Sequence, residues 1–291
     1  MNEAVLTGIQ AGCVYAAIAL GLSLIFGIIR VINFAHGAVL VIFMYLGYFL
    51  WQGWGIDPYV GMLICAPAAF GFGYAVQHFI NRPLFIRERA YVVEPLGILI
   101  LMAGFDMVLS NITLLGFGPF VKSVSPAYAT NSIALGGILL NVPRLIMVPI
   151  VVALIFGVYR LLNRTELGNQ IRAVGQNREA AAICGLNVHH IYALTFGIGC
   201  AITAIAGSAM LPFYPITPYM GLGLAIKAFI VVVLGGMGSI PGMLAAGIII
   251  GLVEGVVGQF VPATYAFIVS LVIFLLVIFF RPKGLMGRIG I

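Results

Sequence analysis

The chain has 291 residues, of which 63 % are hydrophobic and only 8 % charged, with a mean hydropathy of +1.17; soluble domains carry about 25 % charged residues. This composition excludes a soluble globular domain and identifies an integral membrane protein. The excess of 14 Lys and Arg over 8 Asp and Glu falls mostly in three short loops, the positive-inside pattern of membrane proteins rather than a nucleic-acid footprint.

Only helices and closed barrels cross hydrocarbon with every backbone group paired. A barrel shows alternating segments of ~10 residues, whereas "YAFIVSLVIFLLVIFF" (265 to 280) is unbroken. The fold class expected is therefore an all-α polytopic membrane protein forming one domain over 1–291. A span needs ~20 apolar residues, and the runs fall at 5–29, 37–51, 59–79, 91–115, 146–162, 191–211, 224–236, 240–257 and 264–280. These predict a bundle of about 8–10 transmembrane helices.

The first run follows "MNEAVLTG", which has Glu3, no basic residue and no small-residue cleavage site, so a cleaved signal peptide is not expected. After it, "INFAHGAVL" (32 to 40) sets Asn33 and His36 in an otherwise apolar stretch beside Arg30. The runs 37–51 and 224–236 are short, and "LGGMGSIPGM" (234 to 243) gathers Gly235, Gly236 and Gly238 before Pro241. Broken or half helices are predicted at both places.

Arg82, Arg87 and Arg89, then Arg160, Arg164, Arg172 and Arg178, then Arg281, Lys283 and Arg288 mark three basic loops, which predicts that all three are cytoplasmic. An odd number of spans ending inside sets the N-terminus outside, and sets "INFAH" near the inner face at the end of the first helix. The segment 116–145, with only Lys122 and Arg144 as charges, becomes an external loop too long and too rich in turn residues to be a tether.

The longest inner segment, 163–190, has a helix-forming middle in which Asn177 can cap "REAAAICG". One or two short helices across the inner face are expected. Glu179, Ala180, Ala181 and Gly185 make E-A-A-x-x-x-G, whose small residues let a helix sit deep in a partner's groove, with Arg172 and Arg178 as charged edges. The same segment also reads as an amphipathic helix on lipid headgroups.

Charges within hydrocarbon are functional candidates. Asp106, Lys227 and Glu254 are the three here, and Lys227 and Glu254 fall at similar depth and can pair. One reading is structural; another is an ion-coupled secondary transporter with Asp106 or His36 as relay. His78, His189 and His190 form no H-E-x-x-H, no G-x-S-x-G occurs, and Cys13, Cys65, Cys184 and Cys200 lack metal or redox spacing. No catalytic residue and no metal is expected. The absence of G-x-x-x-x-G-K-[ST] means that ATP, if used, is bound by another subunit.

Four blocks, "INFAHG", "LGNQIRAVGQNREAAAICGL", "VVLGGMGSIPGMLAAG" and "RPKGLMG", occur in the order found in permeases of branched-chain amino-acid ABC importers, and the chain resembles that family over nearly its whole length. The resemblance implies a multi-pass protein of the bacterial inner membrane carrying branched-chain or other hydrophobic amino acids; urea or amide permeases of the same family are the alternative. It implies pairing with a second, homologous permease as a heterodimer, two cytoplasmic ATP-binding subunits, and a periplasmic binding protein meeting the external loop. Residues 176–186 would be the coupling helix, and Asn33, His36 and the glycine block would be helix junctions on the translocation path. There Asn33 would satisfy backbone groups freed by the break and His36 would bond a neighbouring helix. Two departures stand: "IYALTFG" replaces the I-x-L-P of other importer permeases, and Ala38 stands where many relatives have an acid.

Overall fold

A computed structural model describes residues 2–29, 33–87, 96–135, 138–281 and 284–286; Arg30, Arg89, Lys283 and Arg288 lie outside them. Among the described residues, seven helices are long and apolar enough to cross a membrane, and two further apolar helices are shorter. The nine are α1 (Asn2–Ile29), α2 (His36–Trp54), α3 (Pro58–Ala75), α5 (Leu96–Phe117), α6 (Val142–Arg164), α9 (Val188–Met210), α10 (Met220–Gly235), α11 (Ile240–Val257) and α12 (Ala263–Phe280). Between them lie the short helices α4 (Arg82–Arg87), α7 (Glu166–Gln176) and α8 (Arg178–Ile183).

The nine apolar runs correspond one to one with these helices. Two expectations change. The run 37–51 becomes a 19-residue helix of spanning length, because His36 and the residues after Trp51 join it, while α10 stays short at 16 residues. The run 59–79 does not end at 79: the helix continues from α3 through a π-helical turn, Val76–Asn81, into α4. Asn81 Nδ2 donates to Gln77 Oε1 at 2.8 Å in that turn, and both side chains are buried.

α1 is the hub, buried along most of its length and packed on α6, α7, α9, α10 and α11. Its tightest neighbour is α11, and the sequence explains why: Gly8 and Gly12 on α1 face Gly247, Gly251 and Gly255 on α11. A Cβ at Gly12 would lie 2.5 Å from the Gly247 carbonyl, and one at Gly251 would lie 2.3 Å from the Gly12 nitrogen. Four-residue glycine spacing on both helices removes side chains from one stripe, so the backbones touch, as small-residue interfaces in membranes allow. The outer surface is apolar: Leu115, Phe156, Leu276 and Phe279 are exposed, as lipid contact requires.

The segment 116–145 folds as a cap. It carries an antiparallel hairpin, β1 (Ser132–Leu135) with β2 (Ile138–Asn141), and Lys122 exchanges backbone bonds with Ile216. Tyr128 donates to Asp57 Oδ2 at 2.6 Å and stacks on Tyr59, whose hydroxyl donates to the Pro143 carbonyl. Burial, reinforced by the hydrogen bond and charge of Asp57, holds the Tyr128 phenol above its ordinary pKa. The sheet and the Lys122–Ile216 bridge are the departures from an all-α architecture among the described residues.

Candidate coupling site and helix junctions

At the end of α6 the chain reverses. Thr165 Oγ1 accepts from the Gly168 nitrogen at 3.0 Å and donates to the Leu161 carbonyl at 2.6 Å, which caps α7 and closes the α6 terminus together. Gly168 sits so close to the Leu161 carbonyl that no side chain fits. α7 then lies with Ile171 and Val174 buried and its other face exposed, with Gly175 against Gly27 of α1.

α8 is six residues long and capped at both ends. Asn177 Oδ1 accepts from Glu179 and Ala180 nitrogens, both at 3.0 Å, as its sequence position predicts. At the other end Gly185 has φ 87°, and its nitrogen donates to the Ala182 carbonyl while the Leu186 nitrogen donates to the Ala181 carbonyl. That pair of bonds is a Schellman cap, which requires the left-handed conformation glycine takes without cost. The glycine of E-A-A-x-x-x-G therefore has a backbone reason for its spacing.

The predicted site residues divide. Ala181 is buried and anchors α8, while Arg178, Glu179, Ala180 and Gly185 are exposed around it. Arg172 is not with them: its guanidinium donates to Asn163 Oδ1 at 2.9 Å and Asn169 Oδ1 at 2.7 Å, back toward α6. Ile183, which sequence reasoning passed over, is 87 % exposed on the same turn. An isoleucine directly before the C-cap of a six-residue helix was the available signal.

The two helix junctions are distinct. His36 is fully buried at the first turn of α2, and its Nε2 lies 3.0 Å from the Ile18 carbonyl and 3.1 Å from Thr203 Oγ1. A carbonyl only accepts, so Nε2 carries the proton, and Nδ1 has no partner among the described residues. His36 thus bonds neighbouring helices, α1 and α9, but beside the middle of α1 rather than at its end, where the sequence reading sets it. Asn33 is buried, and its carbonyl accepts from the His36 nitrogen at 3.3 Å. Its side-chain amide has no partner among the described residues, and the expectation that it satisfies the freed backbone falls on residues 30–32, which lie outside them. Gly37 abuts Gly221, which joins the first turns of α2 and α10. Asp106 on α5 lies beside the Ala38 backbone N–H in that same turn of α2.

The glycine block lies more than one helical turn further along α1. Gly236 and Gly238 have φ 96° and 81°, and the Gly238 nitrogen donates to Ser23 Oγ of α1 at 3.3 Å. Ser239 Oγ caps α11 through the Gly242 nitrogen. Past α12 the chain returns, and Leu285 and Met286 nitrogens donate to the Leu234 and Gly235 carbonyls, closing the C-terminal end of α10.

Lys227 and Glu254 do pair: Nζ lies 2.8 Å from Glu254 Oε2 and 2.9 Å from the Tyr15 hydroxyl, which itself donates to Oε2 at 2.6 Å. Lys227 also lies over the Tyr15 and Phe267 rings. One triad so fastens α1, α10 and α11, with α12 against it.

Residues 4–278 match the model of the family described as branched-chain amino acid transport system / permease component. The high-affinity branched-chain amino acid transport system permease protein BraD of Pseudomonas aeruginosa is 30 % identical, over 98 % of this chain and 95 % of its own. LivH of Escherichia coli, named for the same kind of system, is 29 % identical over 97 % and 94 %. The probable branched-chain amino acid transport permease protein LivH of Methanocaldococcus jannaschii is 27 % identical over 93 % and 87 %. No solved structure matches significantly. With the match to the family model running almost end to end, the chain belongs to the family of branched-chain amino acid transport permeases and is a multi-pass membrane protein.

Proposed function

We propose that this chain is the pore-forming permease subunit of an ATP-driven importer for branched-chain and other hydrophobic amino acids, and that α8 is the contact through which ATPase subunits drive it. The observation that carries the reading is α8 itself: a six-residue helix fixed by caps at both ends, presenting Arg178, Glu179 and the apolar Ile183 to solvent. A rigid projection with exposed charges and no ion-pair partner among the described residues suits a partner's groove better than a lipid surface. α7 joins it directly to α1, the hub of the bundle, so displacement of α8 reaches the helices around His36 and the glycine turn.

Positive-inside loops and nine apolar helices support an outward N-terminus and a cytoplasmic C-terminus. On this reading the chain performs no covalent chemistry, ATP is held by two cytoplasmic subunits, a second permease completes the pore, and a periplasmic binding protein meets the cap at 116–145. The substrate assignment draws on the relatives named for branched-chain amino acid transport.

The test is leucine uptake into proteoliposomes holding the assembled transporter. Uptake that requires ATP on the ATPase side and ignores an uncoupler is expected. Uptake that collapses with the proton gradient and ignores ATP would select an ion-coupled carrier instead, and uptake of urea but not leucine would reassign the substrate.

A further inference from the structure

A cavity of about 250 Å³ opens between α1, α6, α7 and the glycine turn. Leu24, Ile28, Val158 and Met243 give it apolar walls, and Arg172 and Gln176 lie in its lining one turn apart on α7; residues four apart share a helix face. The Arg172 guanidinium is held by two neutral amide oxygens, those of Asn163 and Asn169, and it has no carboxylate partner among the described residues. Among the described residues no acidic side chain lines the cavity. An oriented, uncompensated guanidinium beside a pocket of hydrocarbon is a receptor for an anion that carries an apolar group.

We propose that this cavity binds a hydrophobic amino acid as a zwitterion on the side of the coupling segment. Its carboxylate meets Arg172, its ammonium meets the Gln176 amide oxygen, and its branched side chain lies among Leu24, Ile28, Val158 and Met243. The volume lies below the roughly 300–1,000 Å³ of sites for drug-sized ligands, which suits one amino acid. Guanidinium and carboxylate match in geometry as well as charge. The proposal rests on the transport reading for its ligand class, and adds a second station for that ligand between α7, which carries α8, and the hub helix.

Gly27 is an exposed residue in the lining, and the nearest atom to a Cβ there is Gly238 Cα at 3.8 Å, so Gly27→Cys fits. In a Cys184→Ser background, which removes the exposed native thiol, the assembled transporter in lipid is alkylated with a maleimide and the rate is followed. Saturating leucine is expected to slow labelling at least tenfold, leucine amide is expected not to, and Arg172→Gln or Gln176→Leu is expected to weaken the protection. Absence of protection in a preparation that still imports leucine overturns the site and leaves the transport reading standing; uptake in the same proteoliposomes reports on that reading separately. Protection by dioctanoylphosphatidylglycerol but not by leucine assigns the cavity to lipid and overturns the proposal, as does protection that survives both substitutions.

Discussion

The Lys227 ammonium and the Glu254 carboxylate meet at 2.8 Å inside the bundle, and the Tyr15 hydroxyl bridges them. Three helices contribute one group each, and among the described residues only Glu254 Oε1 of the triad is left without a partner. The sequence allows a structural reading of the intramembrane charges and an ion-coupled one whose relay is Asp106 or His36. For Lys227 and Glu254 the geometry favours the structural reading, since each charge meets the other beneath the Tyr15 and Phe267 rings.

Removing one member leaves the other uncompensated in low dielectric, which costs about 3–5 kcal/mol for buried pairs. Lys227→Met is therefore expected to lower the thermal stability of the protein in detergent sharply, and Lys227→Met with Glu254→Gln to restore most of it. Uptake should follow stability in both. A double variant that is as stable as the parent yet transports nothing would show that the charges serve transport directly.

The glycine stripes make a separate prediction. Gly12→Ala places a Cβ 2.5 Å from one backbone atom of α11 and 2.7 Å from another, which neither helix can yield without separating. A loss of about 1–3 kcal/mol is expected, in the range of overpacking. Gly104→Ala is the control, because nothing lies within 4 Å of that Cβ; alanine in a helix interior should there be neutral or stabilising by up to ~1 kcal/mol. Melting curves of the two variants side by side test the contrast.

The helices were legible because hydrocarbon imposes length and apolarity on each span, and both are read directly from sequence. The Asn177 cap and the Lys227–Glu254 pair were legible for related reasons: a capping side chain acts within three residues, and two charges in an apolar bundle have few other partners. What escaped depends on contacts distant in sequence. Nothing in "INFAHG" tells that α2 starts beside the middle of α1, since that is set by Thr203 and Gly221 across the bundle. Arg172 was grouped with Arg178 by proximity in the chain, whereas Asn163 and Asn169 turn it the other way. The π turn at 76–81 and the hairpin within 116–145 leave no periodicity to read.

For His36 the geometry fixes the expected behaviour of two substitutions. A glutamine amide can donate to the Ile18 carbonyl much as Nε2 does, so His36→Gln should keep uptake within about threefold and leave its pH profile unchanged. His36→Leu removes the donor from a fully buried position and should cost roughly 1 kcal/mol of stability, the net worth of a typical hydrogen bond. Loss of uptake in His36→Gln, with stability intact, would restore a proton-transfer role to the residue.

α8 carries the last prediction. Glu179→Lys reverses a charge on the exposed face, and Gly185→Trp breaks the Schellman cap and fills the groove side at once. Both variants should insert normally, because neither residue touches the bundle interior. Both should abolish ATP-dependent uptake. Gly185→Ala is milder: a non-glycine residue at φ 87° costs about 1–2 kcal/mol in the left-handed region, so α8 frays without losing a surface group. Ile183→Asp leaves the caps intact and replaces the exposed apolar side chain with a charge. If α8 docks into ATPase subunits, Gly185→Ala should reduce uptake per ATP hydrolysed, and Ile183→Asp should weaken co-purification of those subunits. Full uptake with normal co-purification in Glu179→Lys and Ile183→Asp together would remove α8 from the coupling path and return it to the lipid surface.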